Sequence, residues 1–133
     1  MTHLPVNPSE LPNPRGFSHG VVSTPGRILH IAGETGHHQD MSLDDDFVDQ
    51  FAQACRNVAA VVTEAGGVVT DIVAMTIYVT RVEDYRSRID EIGPEYQAVF
   101  GKHFPAMAVI GVTELVDPDA RVEILGVAVI GDQ

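Results

Sequence analysis

Apolar positions along this chain recur with a period of two in some stretches and near 3.6 in others, and the switches between them mark out strands and helices. Phe17 to Val22 reads as a first strand and is closed by Pro25-Gly26. Arg27 to Ala32 is a second strand, with Leu29 and Ile31 on one face and Ile28, His30 and Ala32 on the other. Gly33 to His38 leaves it as a glycine-bearing loop. Phe47, Phe51, Cys55, Val58 and Val62 then follow helical spacing, and Gly66-Gly67 provides the stop. Ser42 stands three residues before Asp45, which predicts a capping box, and Asp44 to Asp46 suit the positive end of the helix.

Asp71 to Thr80 is rich in β-branched residues and predicts a central strand. Tyr85, Ile89, Ile92, Tyr96, Val99 and Phe100 return to helical spacing, with a break or kink expected at Gly93-Pro94. Phe104 to Ile130 closes the chain as two apolar strands joined by an Asp117-Pro118-Asp119 turn. The order β-β-α-β-α-β-β predicts an α+β fold, a mixed sheet with both helices on one face. Its other face would carry apolar surface that a monomer must hide, so an oligomer is expected. Residues 1 to 15 contain four prolines and are expected to form an extended arm on a single domain spanning 1–133.

Composition narrows the partners. The formal net charge of -11 repels phosphate backbones and anionic membranes, which argues against nucleic acid and membrane partners. The N-terminus has no apolar core of the signal-peptide kind, and the single cysteine, Cys55, suits a reducing cytoplasmic setting. Cys55 falls on the apolar helix face and reads as a core residue.

Candidate chemistry centres on Glu123, a carboxylate inside an otherwise apolar strand. Arg121, Glu123, Leu125 and Val127 share one face. Two readings stand: a structural charge, paired with Arg121 or placed on an edge strand, or a half-buried carboxylate of raised pKa that shuttles a proton or holds a water. His37-His38 lacks metal-site spacing, and Gly33-Glu34-Thr35-Gly36 fits neither a dinucleotide fingerprint nor a P-loop. His19 and His30 suit either a structural hydrogen bond or a cleft wall.

The ordered set Gly16-Phe17-Ser18-His19, Ile31-Ala32-Gly33-Glu34, Asn57, Glu64-Ala65-Gly66, Phe104-Pro105-Ala106 and Val122-Glu123-Ile124 resembles the RidA/YjgF family of reactive-intermediate deaminases. The resemblance runs from about residue 12 to 130. It implies a chorismate-mutase-like fold and a homotrimer around a β-barrel core, with ligand clefts between subunits. It also implies hydrolysis of 2-imino acids, or their enamine tautomers, with no metal or organic cofactor. In the same terms Glu123 matches the carboxylate that positions the hydrolytic water. Phe17 stands where a tyrosine is frequent, and Gly33 and Glu34 fall in the family's Ser-Gly-Gln segment. Met107 replaces the arginine that grips the substrate carboxylate.

That replacement matters physically. Arginine binds a carboxylate through two charge-assisted hydrogen bonds and methionine offers none, while Glu34 adds negative charge. A neutral, apolar or amine-bearing substrate then suits Phe17, Met107, Glu34 and Glu123, unless His19, Arg121 or a neighbouring subunit's arginine supplies the missing cation. The function expected is hydrolysis of an enamine or imine other than the simple 2-imino acids; the alternative is a non-catalytic trimer that binds a small molecule or a regulatory partner. Met107→Arg alone is expected to leave deamination of small 2-imino acids weak, because the surrounding pocket differs too. Ammonia release assays on the variant check this, and robust activity would refute it.

Overall fold

In the computed structural model, which describes residues 3–131, a four-stranded mixed sheet carries the helices on one face. The strands are β1 (Leu4–Val6), β2 (Gly20–Val22), β3 (Arg27–Thr35), β4 (Ile72–Val79), β5 (Ala106–Gly111) and β6 (Val122–Ile130). The helices are α1 (Phe47–Glu64), α2 (Val82–Ser87) and α3 (Ile89–Phe100), and a 3-10 turn at Val69–Asp71 leads into β4. The large sheet has the order β3-β6-β4-β5, and β1 and β2 form a separate antiparallel pair. Part of the proline-rich arm is therefore a strand, in keeping with its extended geometry.

The last strand of the chain occupies the inside of the sheet. β6 runs antiparallel to both β3 and β4, while β5 runs parallel to β4 on its far side. The two closing strands thus do not pair with each other, and the Asp117-Pro118-Asp119 turn is part of a crossing loop between them. Parallel β4 and β5 need a crossover, and α2 and α3 form it.

Helical periodicity places α1 as expected. Phe47, Phe51, Cys55, Val58 and Val62 are all buried, packed with Ile31, Ile72, Ile77, Val122, Ile124 and Ala128 of the sheet. Two details differ from the sequence reading. The N-cap of α1 is Asp46, and Ser42 Oγ donates to Asp40 Oδ1 at 2.6 Å, so no capping box forms. Asp46 instead receives the Arg88 guanidinium, which also binds Glu91. The interruption in the second helical region falls at that same Arg88 (φ -120°, ψ 24°), and α3 runs on through Pro94. An arginine held between two acids at the start of α3 decides the break; proline only deprives an interior turn of one donor.

β3 also extends further than its apolar alternation, to Thr35, with a bulge between Ile31 and Glu34. Asn57 of α1 fixes the chain where it leaves this strand: its amide donates to Thr35 O at 2.8 Å and to His37 O at 2.9 Å. No helix among the described residues is long and apolar enough to cross a membrane. Asn57→Ala is expected to destabilise the chain by about 1–3 kcal/mol, since two part-buried carbonyls lose their donor. Urea unfolding followed by circular dichroism checks it; an unchanged midpoint would contradict the role given to this amide.

Candidate functional site

Strand alternation puts Glu123 on the face of β6 turned away from the helices. Val122 and Ile124 on either side are fully buried, while Leu125 is exposed. Directly across β4 from Glu123 is Tyr78, and across β3 is Thr35. The bulge in β3 has a specific use here. A β-carbon on Gly33 would lie 2.5 Å from Glu123 Oε2, so only glycine lets the carboxylate rest against the strand. The structural readings of Glu123 lose their footing: β6 is an inner strand, and among the described residues Glu123 makes no ion pair with Arg121.

Glu34 follows Gly33 at the end of the bulge. Its pKa is raised by partial burial and, secondarily, by the charge of Glu123. Burial and the neighbouring charge both favour the protonated form of Glu34, the direction that a proton donor needs.

Met107 lies elsewhere. In the parallel ladder it is the partner of buried Met75, so its side chain faces the helices. Within one chain, Met107 and Glu123 therefore occupy opposite faces of the sheet. Met107 lines an apolar cavity of about 330 Å³ with Phe51, Ile77, Ile92 and Phe104. Phe17 and His19 stand beside the same strand end. Ser18 between them donates its backbone N–H to Pro105 O at 3.0 Å and its hydroxyl to Phe104 O at 2.6 Å. The rings of Phe17 and His19 meet edge to face at 5.1 Å. His19 Nε2 donates to Pro12 O at 2.8 Å, which commits that ring to the arm. Arg121 precedes β6 and lines a separate polar groove with Thr80, Arg81 and Asp119; its backbone N–H is held by Gln50 Oε1.

The remaining candidates sort themselves. Cys55 is fully buried and burial pushes its thiol pKa far up, which suits a core residue. His38 Nε2 meets Asp44 at 3.0 Å. His37 bridges Thr35 Oγ1 and Asp117, the latter at 2.9 Å. Asp117 is held below the usual carboxylate range first by the Asp119 backbone N–H and then by His37. His30 is exposed on the face of Glu123's strand partners, opposite Val127. Sequence reasoning missed Tyr78, although the alternation of β4 already put Thr76 and Tyr78 on one face.

Residues 9–130 match the family model described as Endoribonuclease L-PSP. The chain belongs to this family, that of the RidA/YjgF proteins. The RidA-family relative from Salmonella typhimurium named 2-iminobutanoate/2-iminopropanoate deaminase is 34% identical over 112 residues, spanning 82% of this chain and 79% of its own. A protein of the same name from Dermatophagoides farinae is 30% identical over 107 residues, 79% of this chain and 80% of its own. A Rid-family protein of unknown function from Yersinia pestis superposes with a TM-score of 0.86 at 29% identity, covering 98% of this chain and 100% of that one.

The raised pKa of Glu34 has a measurable sign. The folded chain holds this proton more tightly than the unfolded chain, so above the ordinary value of 4.5 ionisation of Glu34 opposes folding, and below it the effect vanishes. Glu34→Gln is expected to melt above wild type at pH 7 and level with it near pH 3. A thermal series over pH reads this out, and the idea fails if the two proteins run parallel at every pH.

Proposed function

We propose that this RidA-family chain is a cofactor-independent hydrolase of an imine or enamine other than the simple 2-imino acids, working as a homotrimer with clefts between subunits. The observation that carries the reading is Glu123: an unpaired carboxylate on an inner strand, seated against Gly33 and beside Glu34. An unpaired charge that is half withdrawn from water lowers stability, and a site for proton transfer explains its presence where a structural role does not.

The chemistry is short. Glu123 takes a proton from water, and the water oxygen bonds to the imine carbon as the C=N electron pair moves to nitrogen. Nitrogen takes a proton, for which Glu34 is the neighbouring acid. As the carbinolamine collapses to a carbonyl, its hydroxyl proton passes to the Glu34 carboxylate and the proton held by Glu123 passes to nitrogen, so ammonia leaves and both carboxyls return to their starting forms. Names of relatives at 30% and 34% identity support this reaction class. Met107 in place of a carboxylate-gripping arginine supports a substrate other than theirs. Assembly is supported by the apolar face around the site, where Ile28 is 64% and Ile110 and Leu125 are each 43% exposed.

A second reading, a trimer that binds a small molecule without turning it over, is favoured by the same Met107. Glu123→Gln separates the two. Ammonia release from a panel of imines, generated in situ from amino acids by an oxidase, is expected to fall by about 10²–10⁴-fold, the usual contribution of a positioned general base. Equal rates in both proteins would remove Glu123 from the mechanism, and no release by either over the panel, with ligand-dependent melting retained, would favour the binding protein.

A further inference from the structure

We propose that Thr35 and Glu123 together hold the water that attacks the substrate, with His37 and Asp117 as positioning residues that fix which way the Thr35 hydroxyl points. The use of that water rests on the hydrolase reading; its place rests on geometry alone.

Thr35 and Glu123 are direct partners in the ladder between β3 and β6. Opposed residues of an antiparallel pair send their side chains to one face, with β-carbons about 4.5–5.5 Å apart. A hydroxyl and a carboxylate oxygen so placed can share one water. What the water does there depends on whether Thr35 gives or takes a hydrogen bond. A chain of three side chains decides it.

Asp117 begins the chain. Its Oδ1 accepts the Asp119 backbone N–H at 2.8 Å, and its Oδ2 meets His37 Nε2 at 2.9 Å. The backbone N–H first, and then His37, hold the Asp117 carboxyl below the usual carboxylate range. An ionised carboxylate only accepts, so the proton of this pair sits on His37 Nε2. With the imidazole uncharged, Nδ1 is then bare, and the Thr35 hydroxyl that meets it must donate. Its hydrogen is committed, and Oγ1 is left as an acceptor.

A water between two acceptors gives one hydrogen to each. Its lone pairs stay free, and one can bond to the imine carbon while Glu123 takes the proton. A Thr35 that donated would occupy a lone pair and blunt the same water. The second hydrogen remains on the oxygen as the carbinolamine hydroxyl, so the proton balance is unchanged.

Local structure keeps the chain stiff. The Asn57 amide holds the carbonyls of both Thr35 and His37, at 2.8 and 2.9 Å. Gly36 between them lets this corner press on α1, since a β-carbon there would lie 2.5 Å from Gln50 O. Tying the crossing loop to β3 would need only His37 and Asp117. A hydroxyl at position 35, bonded to that imidazole and paired with Glu123, goes beyond what a tie requires.

The test combines structure and kinetics. NMR of the ring nitrogens at neutral pH is expected to show His37 with a bare Nδ1 and a protonated Nε2. A high-resolution crystal structure is expected to show one water touching both Thr35 Oγ1 and a Glu123 oxygen, and Thr35→Val to lose it. On the imine panel Thr35→Val is expected to lower kcat about tenfold to a hundredfold with KM little changed, the pattern of a misplaced reactant in a folded enzyme. Thr35→Ser, which keeps the hydroxyl, should restore most of the rate. Any other protonation of His37, no such water in wild type, or wild-type kcat in Thr35→Val would each overturn the proposal. A wild-type protein that shows the tautomer and the water but turns over no imine would support the water site and refute the hydrolase reading, so the two failures are distinct.

Discussion

The interior position of β6 is the constraint on which the rest depends. This strand, the last in the chain, hydrogen-bonds to β3 on one side and β4 on the other, and Val122, Ile124 and Ala128 have no exposed surface at all. Burial of the valine and isoleucine side chains, roughly 1.5–3 kcal/mol each, leaves β6 no freedom to slide. Glu123 inherits that rigidity. Its backbone is fixed on both sides, its charge is kept from the edge of the sheet, and its only outlet is the face away from the helices. There the bulge in β3 removes a β-carbon at Gly33 and gives the carboxylate a seat.

Register parity does the second part of the work. Because side chains alternate across a strand, pairing Met75 with Met107 and Tyr78 with Glu123 sends the methionine and the carboxylate to opposite faces. A slip of one residue in β5 would exchange Met107 for Ala108 on the helix side and turn an unpacked methionine out onto the other face. Contacts of β5 therefore govern more than stability. They decide which face of the sheet a ligand meets when it reaches position 107.

Much of this was legible in the sequence, and the parts that were not share a cause. Local periodicity is written in consecutive residues, so α1, the alternation of β4 and β6, and the outward aim of Glu123 could be read directly. Ser42 misled because a capping box is a short pattern, whereas the cap of α1 is settled by Arg88, a residue more than forty positions on, drawing Asp46 into an ion pair. Gly93-Pro94 predicts a break in the second helical region for a sound local reason, yet the break falls at Arg88, which is held by Asp46 and Glu91. The Asp117-Pro118-Asp119 turn has strong turn chemistry, yet turn chemistry does not say whether the flanking strands pair. The bulge at Gly33 was invisible for a related reason: a glycine in a strand reads as a weak point until the side chain that fills its space is known.

Electrostatics then ties the two faces together. On the open face Glu34 and Glu123 concentrate negative charge, and the Glu34 pKa is raised first by burial and then by the charge of Glu123. A carboxylate-bearing ligand meets repulsion there. Across the sheet Met107 lines a cavity with Phe51, Ile77, Ile92 and Phe104, and no carboxylate among the described residues lines it. Met107 faces the helices, so the acid pair shares its face with no side chain from position 107. Register alone thus keeps that side chain and the two carboxyls on opposite faces of a single sheet.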